Sequence, residues 1–146
     1  MEYDVKKLIL GVLEKGYLMS LGTIDDSGVW VCDVIYIYDK DLNIFWMSKD
    51  FSRHSKAIML NPKVAGTITI SGPKENNLGI QFSGIAEKIK VARFDLAKQH
   101  YAKRKKPEPK EIDDVLDGGA WYTVKPEKIE LIHEKLFGFE KQKLEF

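Results

Sequence analysis

The chain reads Ser52-Arg53-His54-Ser55-Lys56 just before an apolar stretch, and these residues disagree with the element they begin. Ser52 is a good N-cap, and the spacing of Ala57, Ile58 and Leu60 predicts a helix that stops at Asn61-Pro62. A helix start carries partial positive charge, so acids belong in its first turn and cations disfavour it. Here Arg53, His54 and Lys56 crowd that turn without an acid. A bound phosphate resolves the conflict by accepting backbone N–H bonds, a forked bond from Arg53 and charge from His54 or Lys56. Pairing of the same cations by Asp50 and other surface acids resolves it equally well, and the residues alone leave both readings open.

Gln81 lies in LGIQFSGIAEKI, a strand otherwise built mainly from small and apolar residues. Its amide either faces solvent or, if buried, needs hydrogen-bond partners such as a polar heteroaromatic ring. Asp33, between Val31 and Ile35, is a similar oddity that a strand edge explains. His54, His100 and His133 have no metal-ligand spacing, so no metal is expected. Walker, GxGxxG and GxSxG motifs are absent, and no catalytic dyad can be assigned. Trp30, Trp46 and Trp121 read as core or interface anchors, and the basic run Lys103 to Lys106 as the solvated end of a helix.

The elements that position these residues follow from periodicity. Val5, Leu8, Ile9, Val12 and Leu13 share one helical face, with Gly16 as the stop. Strands are predicted from Tyr17 to Ile24 and from Val29 to Tyr38, joined by the turn Asp25-Asp26-Ser27-Gly28, and again from Ile44 to Ser48. After the Ser52 helix come strands Val64 to Ile70 and Leu78 to Ile89. A helix from Ala92 ends before Pro107, and two late strands follow, Trp121 to Val124 and Lys128 to His133. Short turns between successive strands predict an α+β, mainly β architecture: an antiparallel barrel of about six or seven strands with two or three peripheral helices. The second predicted strand is apolar on both faces, so a helix or a partner subunit must cover its outside.

With 146 residues, the chain is expected to form a single domain over 1–146. Lys plus Arg number 23 against 22 Asp plus Glu, a balance that disfavours a nucleic-acid partner held by bulk charge. The lone Cys32 cannot form an internal disulfide, which fits a reducing cytoplasm. No apolar run is long enough for a membrane span, and MEYDVKKLILGVLEKG lacks the form of a signal peptide.

The sequence FWMSKDFSRHSKAIMLNPKVAGTITI followed by LGIQFSGIAEKI resembles the pyridoxamine 5'-phosphate oxidase-like FMN-binding split-barrel family, over roughly residues 17–90. The tail from Trp121, with Leu136, Phe137 and Gly138, is similar to a short bacterial branch of it. The resemblance implies a split barrel and a homodimer that holds FMN between subunits and acts on a small molecule. It implies that Ser52, Arg53 and His54 meet the FMN phosphate and that Gln81 approaches the flavin ring. Asp33, Val34 and Ile35, and Trp46, Met47 and Ser48, would line the flavin, with Trp121 reaching in from the other subunit. The family oxidase has basic residues flanking its second-strand motif, where this chain has Val31-Cys32-Asp33-Val34-Ile35-Tyr36. Oxidation of pyridoxamine phosphate is therefore not expected. The alternative in the same fold is a non-catalytic carrier or sensor of haem or a flavin-like ligand.

Overall fold

In the computed structural model, which describes residues 2–146, Ile9, Val12 and Leu13 are the buried stripe of α1 (Val5–Lys15). Asp4 caps this helix by accepting from the Lys7 N–H at 3.1 Å. Strands β1 (Leu18–Asp25) and β2 (Gly28–Ile35) form the expected hairpin, paired from Leu18–Ile35 to Asp25–Gly28. Gly28 has φ +111°, a conformation that glycine supplies at little cost, and Asp25 Oδ1 accepts from the Ser27 N–H at 2.9 Å.

The predicted second strand does not run unbroken to Tyr38. It breaks at Tyr36, whose ring is fully buried and whose hydroxyl donates to the Leu13 carbonyl at 2.7 Å. Beyond the break, β3 (Ile37–Tyr38) pairs with β4 (Ile44–Lys49) instead. The remaining elements are α2 (Arg53–Leu60), β5 (Lys63–Thr69), β6 (Leu78–Lys88), α3 (Phe94–Lys103), β7 (Gly119–His133), α4 (Glu134–Phe137) and β8 (Gln142–Glu145).

All pairings are antiparallel, in the order β2-β1-β5-β6-β7-β4-β3, with β8 added on β7. Consecutive segments β2 and β3 stand at opposite ends of this path. A one-residue bend can join them only if the sheet curls on itself, and the result is an antiparallel half-barrel. The interior is filled by Met19, Leu21, Trp46, Ile68, Ile80, Tyr122, Ile129 and Leu131, with α1 packed against this cluster. A second, smaller cluster joins Ile37, Phe45 and Trp121 to Leu96 and Ala97 of α3.

The two predicted late strands are one strand, β7. Pro126 lies inside it, opposite Gly84, where the register shifts between Ser83 and Gly84. Proline has no N–H for the ladder, and a bulge is where a strand tolerates it. The short elements α4 and β8 add to the helices and strands expected from periodicity.

Candidate functional site

Ser48, near the end of β4, shares the barrel-interior side of that strand with Ile44 and Trp46, whereas Phe45 and Met47 belong to the α3 side. Its Oγ lies 2.7 Å from His54 Nε2. Ser52 occupies the N-cap position of α2 with extended backbone, yet makes no side-chain cap bond. Its hydroxyl instead bridges the Lys49 carbonyl at 2.8 Å and Ser55 Oγ at 2.7 Å. The first N–H groups of α2 thus lack a side-chain acceptor, the arrangement that a bound anion completes.

The acid that pairs with Arg53 is Asp25, in the β1–β2 turn. Asp25 receives Nε at 2.9 Å and Nη2 at 3.1 Å, while the guanidinium stacks 4.4 Å from the Trp30 ring centroid. The Arg53 hydrogen bond holds the Asp25 carboxyl below its ordinary range. Asp50, the acid expected from sequence, instead accepts from Lys88 at 3.1 Å and from the Tyr122 hydroxyl at 3.1 Å. Asp25 occupies one edge of the Arg53 guanidinium and Trp30 one face. The Nη1 end has no protein acceptor among the described residues. Burial lowers the His54 pKa, so its imidazole favours the neutral form and offers a phosphate a hydrogen bond more readily than a charge.

Gln81 and Asp33 lie on another surface. Directly paired residues of an antiparallel sheet share a face, and the register sets Asp33, Ser20, Thr67, Gln81 and Glu130 in one row across five strands. That row is on the outside of the half-barrel, since the residues flanking Ser20 (Met19, Leu21) and Gln81 (Ile80, Phe82) point into the core. Ser20 Oγ donates to Asp33 Oδ1 at 2.7 Å, and Lys141 Nζ donates to Gln81 Oε1 at 2.7 Å. Trp30 and Asp25 have the opposite parity, with Trp30 paired to the buried Thr23. Within one protomer, therefore, Arg53 and Gln81 belong to opposite faces of the sheet.

Trp46 is fully buried, and its Nε1 has no partner among the described residues. Trp121 is 2% exposed and meets the His100 ring edge-on, at 5.6 Å between centroids, so its side chain packs inside its own protomer beneath α3. Met47 flanks that cluster, Val34 flanks the barrel core, and Ile35 is half-buried. Asp25 and Trp30, the groups that fix Arg53, were not expected in this role. Asp25 lies 28 positions before Arg53 and looks like an ordinary turn residue, so the sequence carries no local signal for the pair. Among the described residues, no group of three or more His, Cys, Asp or Glu could hold a metal ion, and no helix is long and apolar enough to cross a membrane.

No family profile matches the chain. A UPF0306 protein of Photorhabdus laumondii is 29% identical over 104 residues, covering 67% of this chain and 70% of that protein. Among solved structures, a pyridoxamine 5'-phosphate oxidase candidate from Listeria innocua superposes with TM-score 0.70 at 15% identity, covering 88% of this chain and 98% of the other. An F420 reductase gives TM-score 0.65 at 16% identity, with 82% and 93% covered. The haem storage protein of Vibrio cholerae also gives 0.65, at 12% identity, with 98% and 95% covered. At such identities the structures establish the fold, and this chain has the split-barrel fold of the pyridoxamine 5'-phosphate oxidase-like proteins.

Proposed function

We propose that two copies of this chain bind FMN between them and use it in a redox reaction on a small molecule, in a reducing cytoplasm. The observation that carries this reading is the outer face of β2, β1, β5 and β6. Val29 is 72% exposed and Val31 59%, and Gly22, Ala65 and Ile85 extend the surface, which the polar row through Asp33 and Gln81 crosses. An exposed apolar face of small residues suits a second copy and a flat ring system. The opposite placement of Arg53 and Gln81 supports a shared site. The Arg53 end of one copy takes the phosphate, through the free guanidinium edge and the uncapped N–H groups of α2, and the Gln81 face of the other meets the ring.

FMN, when bound, supplies the hydride chemistry, and the chain supplies position and hydrogen bonds. Asp25 and Trp30 orient the Arg53 guanidinium, and Ser48 orients the His54 imidazole. The Gln81 amide is the polar group offered to the ring. A phosphorylated amine needs its own cationic clamp, and the outward positions of β2 are Val29, Val31, Asp33 and Ile35, so pyridoxamine phosphate is not the substrate. The same fold also serves haem storage in Vibrio cholerae. Flavin is favoured here because the free edge of the Arg53 guanidinium and the uncapped N–H groups of α2 suit a phosphate, which FMN carries and haem lacks.

The test is the absorption spectrum of the purified protein titrated separately with FMN and haem, followed by anaerobic stopped flow with NADH and NADPH. A flavin spectrum shifted on binding and bleached by a nicotinamide donor supports the proposal. A Soret band with no flavin binding supports the haem carrier.

A further inference from the structure

A cleft of about 890 Å³ opens between the last turn of α1, β3 with the turn after it, and the last turn of α3. It shares no residue with the proposed flavin site, and its size is that of a small-molecule pocket. Leu10, Leu13 and Ile37 give it apolar walls, and Lys103, Glu14 and Tyr38 line it as well.

Lys103 is half-buried. Its Nζ donates to the Tyr36 carbonyl at 2.5 Å and lies 3.3 Å from the centroid of the Tyr36 ring. No carboxylate is within ion-pair distance of it among the described residues; Glu14 instead accepts a hydrogen bond from the Tyr38 hydroxyl. Capping the Tyr36 carbonyl at the β2–β3 break accounts for one N–H of the amine. It does not account for the open cleft that Lys103 lines together with a hydrogen-bonded acid–phenol pair.

We propose that the cleft binds small aldehydes or ketones and that Lys103 Nζ captures them as an imine, with Glu14 and Tyr38 moving the protons. The nitrogen lone pair attacks the carbonyl carbon, and a proton passes from nitrogen to oxygen to give a carbinolamine. The hydroxyl then leaves as water, taking one more proton, and a C=N bond replaces the C=O bond. No electrons are gained or lost, so no oxidant or reductant is needed. Tyr38 O–H is the donor and the Glu14 carboxylate the acceptor in these transfers.

Burial brings the Lys103 amine down to about 8, with the Glu14 charge acting in the opposite direction. The charged or titratable groups facing the cleft are Glu14 and Lys15 from α1, Tyr17, and Tyr38, Asp39 and Lys40 from β3 and its turn, while α3 adds the neutral Gln99. At pH 8 such an amine is neutral roughly a hundredfold more often than an ordinary lysine.

The test treats the full chain with limiting benzaldehyde and cyanoborohydride at pH 8 and locates the reduced adducts by peptide mass mapping. Lys103 should be modified first, at least about tenfold faster than the exposed Lys15 and Lys40. Lys103→Arg, which keeps a donor for the Tyr36 carbonyl, should remove this fast phase. Glu14→Gln and Tyr38→Phe should slow modification of Lys103 several-fold while leaving Lys15 and Lys40 unchanged. Modification that follows exposure, or a folded wild-type protein in which Lys103 stays unmodified, overturns the capture site. An unchanged Lys103 rate in both Glu14→Gln and Tyr38→Phe overturns the proton-transfer role.

Discussion

Arg53 is held twice, by the Asp25 carboxylate and by the Trp30 ring, so its remaining N–H groups point in a fixed direction. A donor fixed in advance loses little entropy when an anion arrives. Arg53→Ala is therefore expected to weaken FMN binding by the value of a charge-assisted hydrogen bond, about 1.5–3 kcal/mol, or roughly ten- to a hundredfold. Riboflavin, which lacks the phosphate, should bind wild type and variant alike in a fluorescence-quenching titration. Equal weakening of both ligands would remove the phosphate from Arg53. In the proposed site, the neutral preference of His54 leaves charge recognition of the phosphate to Arg53.

At the scale of elements, close approaches identify residues that cannot grow. A Cβ at Gly84 would lie 2.3 Å from the Lys125 carbonyl oxygen and 2.9 Å from the Pro126 Cα, both backbone atoms at the β6–β7 bulge. Gly84→Ala should lower stability by about 2 kcal/mol or more in urea unfolding, because no side chain can move aside. Helix α3 makes stability depend on pH through His100. Burial, aided by the Arg104, Lys103 and Lys106 charges, lowers the His100 pKa to about 4. As pH falls from about 6.5, the unfolded chain takes the proton before the folded one does, so stability declines down to about pH 4, by up to about 3 kcal/mol. His100→Gln should flatten that slope in urea titrations repeated across this range, and an unchanged slope would assign it to other groups.

Much of this scaffold is readable from spacing. The α1 stripe, the Asp-Asp-Ser-Gly hairpin turn and the α2 boundaries depend on local rules, and the structure keeps them. The break at Tyr36 is not local. An apolar run from Val29 to Tyr38 looks like one strand, and only the curled sheet requires it to serve both edges, with Val29 and Val31 open and Ile37 under α3. The bulge at Pro126 likewise takes its meaning from Gly84, far away in sequence. At the site, the cationic turn of α2 is visible as a conflict, whereas its partner Asp25 and the separation of Gln81 from Arg53 depend on the register of β1, β2, β5 and β6.

For the whole molecule, the proposed dimer rests on the outer face of β2, β1, β5 and β6. Val31→Glu places a charge in the middle of that face and, since Val31 is 59% exposed, should leave the protomer folded while abolishing the dimer in sedimentation equilibrium. A variant that still dimerises would move the interface elsewhere. The shared site itself is tested most directly by sedimentation velocity with FMN added, recorded at the flavin absorbance. Flavin should sediment with the dimer at about one per chain, and Val31→Glu should release it even though Arg53 is intact. Flavin that stays free in the wild type, or that sediments with a monomer, would contradict the account.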